Sequence, residues 1–99
     1  MPDTMEFAYM LRPPRPTFPS DATEVERNLI GEHFEYLKRL RDEGVVVFAG
    51  RAEDASFGIV VYRAPDEHAA RRLMQDDPAV RGGVFGAQIH TFRIALVGK

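Results

Sequence analysis

In "DATEVERNLIGEHFEYLKRLRDEG" (residues 21–44), Val25, Leu29, Ile30, His33, Phe34, Leu37 and Leu40 recur at helical spacing and form one apolar arc. Thr23 and Glu26 fit the capping box S/T-x-x-E, and Gly44 supplies a C-terminal stop. The stretch reads as one long helix with both ends marked, and its arc needs a surface to cover it.

The flanking segments supply that surface. Upstream, "MEFAYMLR" (residues 5–12) has the aromatic and apolar density of a strand and stops at Pro13, which cannot donate to a ladder. Downstream, "VVVFAGR" (45–51) and "SFGIVVYR" (56–63) are short and β-branched, and read as a hairpin across "AED". "PDEHAARRLMQDDP" (65–78) opens with proline and acids, as the first turn of a helix does. It buries Ala69, Ala70, Leu73 and Met74, and Pro78 ends it. A short turn around "AVRGG" then leads to a last strand, "VFGAQIHTFRIALV" (84–97). The order β-α-β-β-α-β with right-handed crossovers gives one α+β domain over residues 1–99: a ferredoxin-like sandwich, with a four-stranded antiparallel sheet and both helices on one face.

The strands are apolar on both parities. Met5, Phe7, Tyr9 and Leu11 share one side of the first strand, and Ala8 and Met10 the other. Helices cover only one face, and a large apolar patch left in water marks an interface. A homodimer packed through the open sheet face is expected.

Composition narrows the function. A hydrophobic share of 44%, 28% charged residues and a net charge of −2 describe an ordinary globular chain with no polyanion partner. The third strand lacks the spaced aromatics of an RNA-binding sheet, so nucleic acid is not expected. With no cysteine, disulfides and thiolate chemistry are excluded, and a cytoplasmic location is compatible. The first residues carry acids and too short an apolar run for export or a bilayer span, so no membrane association is expected. Glycine motifs for nucleotide phosphates are missing, and no cofactor is expected.

Two residues sit awkwardly. His33 falls in the middle of the apolar arc and points inward, where it is either a core histidine satisfied by the backbone or a buried base. Asp77 lies at the exit of the second helix, where the helix dipole disfavours an acid, and Pro78 pushes it into an extended conformation. It either caps the following turn or meets His33, since both helices lie over one sheet face. His68 and His90 show no ligand spacing with one another, so a metal built from His33, His90 and Asp77 is not expected.

These pieces resemble the YCII-like family of dimeric ferredoxin-like (α+β barrel) proteins over almost the whole chain. The carrying segments are "FAYMLRPPRPTFPSDATEVERNLIGEHFEYLKRLRDEGVVVFAG" and "FGIVVYRAPDEHAARRLMQDDPAVRGGVFGAQIHTFRIAL", with the histidine of "EHFEYL" and the Asp-Pro of "DDPAV" inside them. The resemblance implies a small-molecule enzyme of lyase or isomerase type with a histidine and an aspartate in a cleft, which places the candidate catalytic pair at His33 and Asp77. Two positions depart from the family pattern. Gly50 is followed by Arg51 rather than proline, and Ile30 stands where better-known members carry an arginine.

The missing arginine directs attention to Arg12, Arg15 and Arg51, each at or beyond a strand end, where a guanidinium can hold a carboxylate or phenolate. Tyr9 and Tyr62 offer phenolic hydrogen bonds in the cleft or simply pack. The loop "RPPRPTFPSD" (12–21) is longer than usual and stiffened by proline, so it is expected to wall the cleft with Arg15 and Phe18. The competing reading is a non-catalytic dimeric module that binds a small ligand, with His33 only packed. A third, the P-x-x-P of Pro13 and Pro16 as a peptide ligand, is disfavoured because the segment bridges two elements of one fold.

Overall fold

The computed structural model describes residues 4–98 and contains seven elements: β1 (Met5–Arg12), α1 (Glu24–Asp42), β2 (Val46–Arg51), β3 (Gly58–Ala64), α2 (Glu67–Gln75), α3 (Pro78–Arg81) and β4 (Gly86–Thr91). The four strands form one antiparallel sheet in the order β2-β3-β1-β4, the expected ferredoxin-like arrangement.

Local chemistry sets the ends of α1. The Thr23 hydroxyl accepts from the Glu26 amide while the Glu26 carboxylate accepts from the Thr23 amide, which completes the capping box. Gly44 follows the helix at φ +80°, a conformation that a side chain would strain.

One face of the sheet carries Phe7, Tyr9 and Leu11 of β1 with Val60 and Tyr62 of β3, and these pack with Tyr36, Leu37 and Leu40 of α1 and Ala70 and Met74 of α2. A second cluster forms beyond the sheet. Phe18, Ala79 and Val84 bury one another against Leu29 and Ile30 of α1. The two ends of α1 therefore serve different cores, and His33 lies between them.

The apolar arc of α1 needs correction on this account. Val25 is 67% exposed and Phe34 59% exposed, while Tyr36, which is not part of the arc, is buried. Val25 belongs to the first helical turn, away from the sheet, and Phe34 borders a cavity.

Two further boundaries differ from the sequence reading. The last strand spans Gly86–Thr91 rather than 84–97. Val84 and Phe85 instead give their amides to the Ala79 carbonyl, and the last ladder bond runs from the Phe92 amide to the Glu6 carbonyl, next to the start of β1. The register ends at Thr91 opposite Phe7, and only Glu6 and Met5 of β1 remain beyond it, too few to pair with residues 93–97. "AVRGG" is also more than a turn, because Pro78 begins α3 at its first position. Gly82 closes α3 tightly against α1, since a Cβ there would lie 2.7 Å from Leu29 Cδ1 and 2.9 Å from the Pro78 carbonyl. This close fit anchors the segment that carries Asp77.

Candidate functional site

Asp77 adopts φ −60° and ψ 123°, the extended geometry that a residue before proline prefers, and its Oδ1 accepts from the Ala79 amide at 3.0 Å. It therefore caps α3. The same carboxylate also meets His33, whose Nδ1 lies 2.8 Å from Oδ1 and 2.7 Å from Oδ2. The two roles considered for Asp77 are one arrangement, because capping orients the carboxylate toward the middle of α1.

A third donor completes the group. The Tyr9 hydroxyl, from the centre of β1, donates to Asp77 Oδ2 at 2.6 Å. Burial, and next the charge of Asp77, push the Tyr9 phenol far above the usual tyrosine range, so it stays protonated and donates. Asp77 itself is fully buried and is met by three donors, the surroundings that suit a carboxylate.

With Nδ1 engaged by a hydrogen-bond acceptor, it carries the ring proton, and Nε2 is left with a lone pair. Among the described residues Nε2 has no hydrogen-bond partner, yet no side-chain nitrogen or oxygen is both buried and unpaired. Nε2 is therefore reachable. The Phe85 ring meets the imidazole edge-on at 5.7 Å and the Phe18 ring at 5.9 Å, fixing one side of the site.

His33 lines a cavity of about 420 Å³, within the range of small-molecule sites. Its walls are largely apolar: Leu11 and Val60 from the sheet, Ile30 and Leu37 from α1, and Phe18, Phe57 and Phe85 from loops. Phe34 is at once exposed and part of this lining, which accounts for its departure from the core. A larger, more open groove of about 860 Å³ lies between α1 and α3, lined by Glu35, Arg39 and Arg81 among others, but it contains neither His33 nor Asp77.

The cationic candidates separate cleanly. Arg51 lines the cavity, with its Nη1 donating to the carbonyls of Ala52 and Glu53 at 3.0 Å each. Arg15 is committed elsewhere, to Glu26 through both terminal nitrogens at 2.8 Å and to Asp21 through Nε at 3.0 Å. That clamp pins the proline loop to α1, so Phe18, Pro13 and Pro19 form a wall. Arg12 is exposed and does not line the cavity.

Tyr62 lies in the core, where its hydroxyl donates to the Ala70 carbonyl at 2.6 Å and secures α2 on the sheet. His90 pairs with Ala8 and so faces away from Tyr9, on the sheet face opposite His33, and His68 lies exposed in the first turn of α2. His33, His90 and Asp77 do not come together. Among the described residues, no group of three metal-ligating side chains is present.

The aromatic walls Phe57 and Phe85 were not legible as site residues, since single phenylalanines flanked by glycine carry no pattern. Tyr9 did carry a signal: its hydroxyl sits in the buried parity of β1 and must find a partner there.

The fold is that of the dimeric α+β barrel proteins, here with a buried carboxylate-histidine pair beside an apolar cavity. The YCII-related domain matches residues 5–93, and the chain belongs to that family. Among solved structures, it is similar to 5-chloro-2-hydroxyhydroquinone dehydrochlorinase from Burkholderia phenoliruptrix AC1100, in complex with 2,5-dihydroxybenzoquinone. That likeness has 15% identity, covers 90% of this chain and 95% of that one, and has a TM-score of 0.65. It is also similar to muconolactone isomerase, at 16% identity over 92% of this chain and 91% of that one, with a TM-score of 0.70. At such identities the likeness establishes the fold alone. No curated protein matches the chain in sequence. None of the described helices is long and apolar enough to cross a membrane.

Proposed function

We propose that this YCII-related protein is a small-molecule enzyme of lyase or isomerase type, in which His33 is the general base and Asp77 holds it in the working tautomer. The observation that carries the reading is the contact of Nδ1 with a fully buried carboxylate, which leaves Nε2 unpaired beside the cavity. In the reaction, Nε2 takes a proton from carbon or oxygen of the substrate. The electron pair left behind either expels a leaving group or is reprotonated at another atom. A general base of this kind contributes roughly 10²–10⁴-fold in rate.

The cavity walls favour a single cyclic or aromatic ring, and Arg51 favours an anionic substituent directed toward it. The two similar structures are those of a hydroxyhydroquinone dehydrochlorinase, bound to a dihydroxybenzoquinone, and of a muconolactone isomerase, which supports the class and not a particular compound. Copies of the chain pair through the open sheet face. There the register places Ala8 and Met10 of β1 beside Ile59 and Val61 of β3, with Phe48 of β2 standing 52% exposed next to them.

A panel of monocyclic aromatic and lactone acids, screened by thermal shift and then for turnover, tests the reading. The expected result is a ligand that stabilises wild type and is converted by it, while His33→Ala still folds and binds it but turns it over at least about 100-fold more slowly. Full turnover by a folded His33→Ala would overturn the enzyme assignment. Binding without turnover by wild type would favour a non-catalytic ligand-binding module.

A further inference from the structure

The proposed base acts through one nitrogen, but the group behind it has three members. Tyr9 reaches Asp77 from the opposite layer of the fold, with its ring held edge-on to Tyr62 at 5.4 Å and almost no exposed surface. Each carboxylate oxygen has one donor besides His33: Oδ1 takes the Ala79 amide and Oδ2 takes the Tyr9 hydroxyl. The Ala79 bond belongs to helix capping and is supplied by the backbone. The Tyr9 bond is supplied by a side chain that β1 could bury equally well as phenylalanine.

We propose that Tyr9 is a positioning residue of this site: its hydroxyl fixes the rotation of the Asp77 carboxylate and draws off part of its negative charge, limiting how strongly Asp77 holds a proton on His33. The inference rests on the general-base reading of His33. A carboxylate stripped of this donor would concentrate charge on Oδ2, 2.7 Å from Nδ1, and favour the doubly protonated imidazolium. A base that is already protonated cannot accept the substrate's proton. Tyr9 thus favours an oriented but unprotonated Nε2.

The other groups around this centre are accounted for. Tyr36, one turn along α1 from His33, donates to the Leu73 carbonyl at 2.6 Å, and burial followed by the charges of Asp76 and Asp77 pushes its phenol up to about 12. Asp76 just past the end of α2, Arg39 of α1 and Arg81 of α3 act on Tyr36, and Arg51 borders the cavity from β2. Among the described residues, only Asp77 bonds to the His33 ring.

The test follows the His33 ring nitrogens by NMR across pH in the full chain, without any ligand. Tyr9→Phe is expected to raise the His33 titration midpoint above that of wild type. Tyr36→Phe removes a comparable hydrogen bond that does not touch Asp77, and is expected to leave the midpoint in place. If Tyr9→Phe does not fold, 3-fluorotyrosine at position 9, a stronger donor, is expected to lower the midpoint. An unchanged midpoint in a folded Tyr9 variant, or an equal shift in Tyr36→Phe, would overturn the proposal. Because no turnover is read, this outcome is separate from that of the His33→Ala experiment.

Discussion

The cost of burying Asp77 is offset by three hydrogen-bond donors: the Ala79 amide, the Tyr9 hydroxyl and His33 Nδ1. Asp77→Asn retains the shape but introduces two donor hydrogens into this cluster. Where the new amide faces the ring, Nδ1 must accept, and the ring proton moves to Nε2, where the base should be empty. The expected result is a rate loss of roughly 10²–10⁴ with a loss of stability of only about 1–3 kcal/mol by chemical denaturation. Equal turnover in this variant would mean that the pair is merely structural. Both residues of the pair could be singled out from the sequence, each for being out of place: an imidazole in an apolar arc, and an acid at a helix exit before proline. Their distance could not, because it depends on the close approach of α3 to α1 at Gly82.

The loop between β1 and α1 acts as a wall because Arg15 fastens it to Glu26 and Asp21. Its prolines were visible as a stiffened, overlong connection, but the direction of Arg15 was not. A capping-box glutamate still has oxygens to offer, and the bidentate fit to a guanidinium is stronger than a distant role in substrate binding. The Arg15 bonds, followed by the Thr23 amide, lower Glu26 from 4.5 to about 2. A depressed carboxyl contributes stability that is fully present above its unfolded value and is lost as pH falls through the folded one. Glu26→Gln should therefore weaken amide-exchange protection at Phe18, Ser20 and Ala22 at neutral pH, and its difference from wild type should fade as pH drops from about 4.5 toward about 2. Unaltered protection in the variant would show that the prolines alone hold the wall. The end of β4 is likewise set by a partner and not by composition. "RIALV" has strand composition, yet past the Thr91–Phe7 pair only Glu6 and Met5 of β1 are left to face it.

For the molecule as a whole, the asymmetry of the sheet sets the expectation. One face is covered by helices and holds the site, while the other presents Met10, Phe48 and Ile59 around buried Ala8 and Val61. Sequence parity indicated both faces as apolar, but Phe48 reached the open one through an irregularity: β2 shifts register between Val46 and Phe48, which turns that ring away from the helices. Sedimentation should give twice the 11.2 kDa chain mass for wild type and a shift toward the single chain for Phe48→Glu. A monomeric wild type would remove the dimer from this account and leave the cavity unaffected.

The central claim is that Asp77 fixes His33 with its proton on Nδ1 and its lone pair on Nε2. Nitrogen NMR of the labelled His33 ring in the neutral form reads this directly. The account predicts a proton on Nδ1 in wild type and on Nε2 in Asp77→Asn; a wild-type ring protonated on Nε2 would contradict it.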